Sequence, residues 1–234
     1  MTNEKMLERC LILAQGLNED DRNTYDFAAR TKTFTDLLGV GPMLAHLIHD
    51  LKDDLAAEEM KKAGRGSALT AAKRIIKRAK QINPAKEAYH GAWMENGMQC
   101  ICTGCHAIRL RTPLDGLEDT NGKEHLDLGK TIAEALYATD SALPLPSVAE
   151  LKAHIKTEKA RLKAENKKAN HITYDFGPDL PWVNAEYLLD LMEVLPGCTA
   201  TIKSRGAKRN PLAFRSDAGD GILLPISPNH TEKK

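Results

Sequence analysis

The sequence predicts an α+β protein, and three observations carry that expectation. Residues 1–60 show helical periodicity and no strand signal, residues 182–226 read as a helix followed by three short strands, and residues 67–110 repeat that order. A helical N-terminal region followed by one mixed domain accounts for all three.

At 234 residues, 42% hydrophobic and 28% charged, the chain can bury one good core and a small further unit. A formal charge of +1 leaves any electrostatic argument to the placement of charges. Lys61–Lys80 holds eight basic residues and no acidic one, whereas Glu186, Asp190 and Glu193 make a late helix acidic. No apolar run approaches the roughly 18 residues of a membrane span, and no secretory leader is visible, so a cytoplasmic protein is expected. Five cysteines, an odd number, argue for reduced thiols.

Taken in order, Met6–Leu17 is a first helix, ended by the polar stretch 18–23. Residues 34–48 fit a helix-hairpin-helix pattern, in which Gly39 and Gly41 allow a tight turn and their N–H groups can hold a nucleic-acid phosphate. Met43 and Leu44 stand where such motifs often carry lysine, and Leu44, Leu47, Ile48, Leu51 and Leu55 equally make an ordinary amphipathic helix. Residues 1–63 form the N-terminal region on this reading, and Gly64-Arg65-Gly66-Ser67 is the boundary, with Ser67 capping the next helix.

In that helix, Ser67–Ile82, an apolar stripe (Leu69, Ala72, Ile75, Ile76, Ala79) leaves Lys73, Arg74, Lys77, Arg78 and Lys80 on the remaining surface. Tyr89–Met94 and Met98–Cys102 then read as a hairpin turned by Asn96-Gly97. Residues 112–171 look like an insertion: a short helix at Leu128–Ala138, a Pro-broken stretch at 143–146, and a long helix from Ser147 with a Ser147/Glu150 capping box. The basic C-terminal part of that long helix reads as a solvated face. Ile172–Phe176 is a strand, Asn184 caps a helix whose buried face is Tyr187, Leu188, Leu191, Met192 and Leu195, and Pro196-Gly197 stops it. Cys198–Lys203, Pro211–Arg215 and Ile222–Ile226 follow as strands, leaving 228–234 as a disordered tail.

Two passages carry a family resemblance. Asn184-Ala185-Glu186-Tyr187-Leu188-Leu189-Asp190, the meander after it and Leu224-Pro225-Ile226 resemble the closing half-domain of a DNA polymerase sliding clamp, and Thr103–Leu110 resembles the Thr-Gly turn of the first half. The aspartate of that turn is missing, and its basic residue arrives late, as Arg109. The resemblance implies one clamp-like domain at 67–227, built of two βαβββ halves with a helical insertion at about 112–171, similar to short clamp-like proteins of bacterial phages and mobile elements. It implies a non-enzymatic accessory role in replication, with duplex DNA held through phosphates by Lys73, Arg74, Lys77, Arg78 and Lys80, and an oligomer if a ring forms. A module that binds a replication protein without DNA is the alternative.

Cys100, Cys102, Cys105 and His106 offer a third reading, a small zinc-linked regulator, because four soft ligands fall within seven residues. Against it, zinc knuckles generally come in pairs, and in a strand Cys100 and Cys102 would share a face as small buried hydrophobes. The C-x-x-C-H haem pattern at 102–106 fails on compartment. No other catalytic constellation stands out, so neither an enzyme nor a cofactor is expected.

Overall fold

The computed structural model describes residues 43–47, 50, 54–55, 57–166 and 171–226. The chain forms two compact units, residues 1–59 and 60–234. In the first, the described residues are helical. The expected helix at 6–17, Gly39, Gly41 and the tail at 228–234 lie outside the described residues. The second unit begins at Met60, slightly before the expected boundary at 64–67. The Met60 carbonyl accepts from Arg65 N at 2.7 Å, and the Arg65 guanidinium donates to the Thr112 and Pro113 carbonyls at 2.7 and 3.0 Å.

The second unit is an α+β fold. Its elements are α1 (Gly66–Ile82), β1 (Ala92–Glu95), β2 (Met98–Cys102), β3 (His106–Leu110), α2 (Leu128–Ala138), β4 (Ser141–Leu143) and α3 (Val148–Ala164). They continue with β5 (Thr173–Asp175), β6 (Trp182–Asn184), α4 (Ala185–Val194), β7 (Thr199–Ile202), β8 (Leu212–Arg215) and β9 (Gly219–Leu223). Seven strands form one antiparallel sheet in the order β1-β2-β3-β9-β8-β7-β4, and β5 pairs with β6 apart from it. Without β4 the order is palindromic. The units α1-β1-β2-β3 and α4-β7-β8-β9 meet where β3 lies antiparallel to β9, with His106 opposite Leu223 and Leu110 opposite Gly219. The strand ahead of α4, β6, pairs with β5 rather than joining the large sheet.

Strand alternation gives the sheet two apolar faces. Cys100, Cys102, Ala107 and Ile222 join Trp93 against Leu128 and Ile132 of α2. Ile101, Ile108, Phe214 and Leu223, all buried, take the other face, where α1 and α4 lie side by side.

Local chemistry explains most element ends. Ser147 and Glu150 complete the capping box of α3, and the Asn184 side chain accepts from Glu186 N at 2.9 Å to start α4. Asn96 and Gly97 take φ of 51° and 76°, as a two-residue hairpin turn requires. Ser67 does not cap α1: the helix starts one residue earlier, after Arg65, without a side-chain cap. Within the expected insertion, β4 runs into the Pro-broken stretch at 143–146; its three residues add to the sheet edge beside β7 and stop before Pro144.

The last strand also starts earlier than its β-favourable residues indicate, at Gly219 instead of Ile222. Close backbone approach is the reason. A Cβ on Gly219 would lie 1.9 Å from the Arg109 carbonyl oxygen, and one on Gly221 3.1 Å from that of Ala107 and 3.2 Å from a Leu195 methyl. Gly219→Ala should therefore force β3 and β9 apart and destabilise the unit by about 3 kcal/mol or more, measured by urea unfolding.

Candidate nucleic-acid interface

The acidic residues of α4 recur at i, i+4 and i+7: Glu186, Asp190 and Glu193. This spacing puts all three on one helical stripe, which faces basic side chains on both flanks. From α1, Arg74 Nε donates to Asp190 Oδ1 at 2.8 Å and its terminal nitrogen to Glu193, while Arg78 reaches Asp190 and, at 3.5 Å, Glu186. From α3, Lys152 pairs with Glu193 and Lys159 with Glu186, each at 2.6 Å. Together they make a continuous ladder, Lys152–Glu193–Arg74–Asp190–Arg78–Glu186–Lys159, across three helices. Its pairing order fixes both α1 and α3 antiparallel to α4.

The ladder is anchored at its centre. The Asp190 side chain is 1% exposed, and its two arginines are 39% and 21% exposed. Although burial pushes the Glu193 carboxyl up, Lys152 and Arg74 hold it below the usual carboxylate range. Arg78 also lies over the Tyr187 ring, 5.5 Å from its centroid, and Tyr187 in turn packs on His106 at 4.8 Å. The His106 ring accepts or donates at 3.1 Å to the buried Thr103 hydroxyl through Nδ1, while its buried Nε2 has no hydrogen-bond partner. Burial, aided by Arg78, pulls its pKa down to about 3.

The placement of the expected phosphate-contact residues therefore divides. Arg74 and Arg78 face α4 and hold Asp190, and Lys80 pairs with Glu118 at 2.5 Å. Lys77 is exposed and forms no ion pair among the described residues. Lys73 is half-buried. The solvated face expected of α3 is more than that. Lys152, Lys156, Lys159 and Lys163 recur at i, i+4, i+7 and i+11, one stripe running along the acidic helix, with Lys156 and Lys163 exposed and unpaired among the described residues. The complementary spacing of the α3 lysines and α4 acids is the sequence signal that would have found it.

The three helices are strongly basic as a group. Five basic residues on α1, and five basic and two acidic on α3, meet three acidic residues on α4, an excess of five positive charges in a chain of net charge +1. Balancing acids gather elsewhere, as in the loop before α2, where Asp115, Glu118, Asp119, Glu124 and Asp127 stand against Lys123.

The cysteine cluster does not converge. Cys100 and Cys102 point at α2, while His106 points through the opposite face at Tyr187. Burial pushes the two thiols up to about 12 and about 11, in keeping with small side chains packed in a core. Among the described residues no group of three potential metal ligands occurs. Comparisons with protein-family models, curated proteins and solved structures find no match for this chain.

Two stability measurements probe the layer. Asp190→Ala leaves two partly buried arginines without their shared acceptor and should cost about 3 kcal/mol, against less than about 1 kcal/mol for Glu186→Ala, since Arg78 then keeps Asp190 and Lys159 is exposed. The imidazole of His106 tests the packing beneath. It stays neutral in the folded protein while the unfolded one gains a proton below about pH 6.5, so stability falls as pH drops. The loss is about 1.4 kcal/mol per pH unit from about 6.5 towards 3. Urea unfolding at pH 6.5 and 5.0 should show a smaller drop for His106→Leu than for the unaltered protein.

Proposed function

We propose that the protein is a non-enzymatic, clamp-like accessory factor that holds duplex DNA through its phosphates, acting in replication of a phage or mobile element. The observation that carries the reading is the aligned cation stripe of α3 and the exposed Lys77 of α1, on a helix layer with five charges in excess. Phosphate tracking needs such non-directional cations on helix surfaces and no base-reading groups. The palindromic sheet with α1 and α4 paired on one face supports the clamp resemblance, although fold alone does not fix function.

This assignment moves the contact surface. Arg74 and Arg78 act within the layer, and the DNA-facing role passes to Lys77, Lys152, Lys156, Lys159 and Lys163. The acidic stripe of α4 is neutralised from both flanks, which removes the repulsion it would otherwise exert on a phosphate backbone.

The test is fluorescence anisotropy with a labelled duplex at several salt concentrations, comparing the unaltered protein with a Lys77→Gln, Lys156→Gln, Lys163→Gln variant. These lysines leave the ladder intact, so the variant stays folded. Binding should weaken steeply with salt, and the variant's logarithmic salt slope should be shallower by about 2 to 3, near 0.9 per lost phosphate contact. No binding at low salt would sink the DNA reading. The exposed edge strand β4, which pairs only with β7 among the described strands, would then favour docking of a partner protein by strand addition.

A further inference from the structure

The two αβββ units differ most in the connection between their first and second strands. In the first unit β1 and β2 are joined by the two-residue turn Asn96-Gly97, whereas in the second, residues 203–211 separate β7 from β8. An element expanded in only one of two equivalent units has a use that the fold itself does not require. The expansion carries Lys203, Arg205, Lys208 and Arg209 within seven residues, all exposed.

This loop is built, not slack. Asp140 accepts from Ser204 N at 2.7 Å and from the Ser204 hydroxyl at 3.0 Å. The Asn210 side-chain amide donates to the carbonyls of Lys203 and Arg205 at 3.1 and 2.9 Å. Gly206 takes a φ of 77°, which opens a 3-10 turn over Ala207–Arg209 and turns Ala207 inward, where it is buried. Lys208 pairs with Asp179 at 3.1 Å, while Lys203, Arg205 and Arg209 form no ion pair among the described residues. Charges that serve only solubility need no such scaffold. Holding the backbone in advance lowers the ordering entropy that a ligand would otherwise have to overcome.

Position links the loop to the helix layer. Lys208 of the loop pairs with Asp179, three residues ahead of β6, which runs directly into α4, so the loop lies towards the end of the unit where α4 begins. The ladder makes α1 and α3 antiparallel to α4, which brings their C-terminal turns, with Lys80, Arg161 and Lys163, to the same end of the unit. We propose that the 203–210 loop is a second, preformed phosphate-binding element, in which Lys203, Arg205 and Arg209 grip the backbone of the duplex that the helix layer contacts. The inference rests on the DNA reading given above. A duplex backbone suits the loop better than a protein partner does, since the loop's one apolar side chain, Ala207, is turned inward and offers no anchor for a protein interface.

The experiment is the same anisotropy titration with a loop variant, Lys203→Gln, Arg205→Gln, Arg209→Gln. A matched control, Lys86→Gln, Lys123→Gln, Lys130→Gln, removes equal charge elsewhere, and thermal melting verifies that each variant is folded. The loop variant should bind about tenfold or more weakly at low salt, with a slope shallower by about 2 to 3, while the control keeps the slope of the unaltered protein. Asp140→Ala retains every cation and frees the loop, and should weaken binding by a few-fold. A loop variant that binds like the control overturns the inference and leaves the DNA reading standing. Failure of the unaltered protein to bind at low salt overturns both.

Discussion

The carboxylate of Asp190 is the constraint on which the second unit depends. A carboxylate 1% exposed sits in the seam between α1 and α4, and among the described residues the guanidinium groups of Arg74 and Arg78 offset its desolvation. That requirement dictates helix register. Sliding either helix by one turn would carry an arginine away from Asp190 and leave a charge buried without its partner. Apolar packing of Leu69, Ile75, Leu188 and Leu191 brings the helices onto the sheet, but greasy surfaces tolerate several registers, whereas the ion ladder accepts one.

The ladder also explains why opposite charges on adjacent helices do not cancel the surface field. Its acids are consumed inside the layer, each shared by two cations. The cations on its outer flanks keep their charge facing solvent, and the excess is positive. Salt bridges of this kind add little net stability where they are exposed. At the centre they offset the desolvation of Asp190, and there the Arg78–Tyr187–His106 stack ties them to the sheet below. A polar seam thus connects the helix surface to a neutral buried imidazole.

Much of the fold was legible because its signals are local. The capping box at Ser147, the Asn184 cap, the Asn96-Gly97 turn and the ends of α2 follow from a few adjacent residues, and all are present. Signals that depend on distant neighbours failed. β9 begins at Gly219, a poor strand former by propensity, because β3 leaves no room there for a side chain. β4 is only three residues long and runs into prolines, so nothing local marks it. Arg74 and Arg78 illustrate the limit for the site. A basic helical stripe looks the same whether it faces water, phosphate or an acidic helix, and only the matching 4- and 7-residue spacings of Glu186, Asp190, Glu193 and the α3 lysines distinguish the cases.

The join between β3 and β9 governs the order in which the molecule can assemble. His106 finds its partner in Leu223, across half of the chain's length, so the centre of the sheet is its least local contact. During synthesis the first αβββ unit emerges with β3 as a bare edge and must wait for nearly the whole chain before that edge is covered. Folding of this unit is therefore slow by topology, and the nascent chain is most vulnerable to aggregation along the strand that ends as the middle of its sheet.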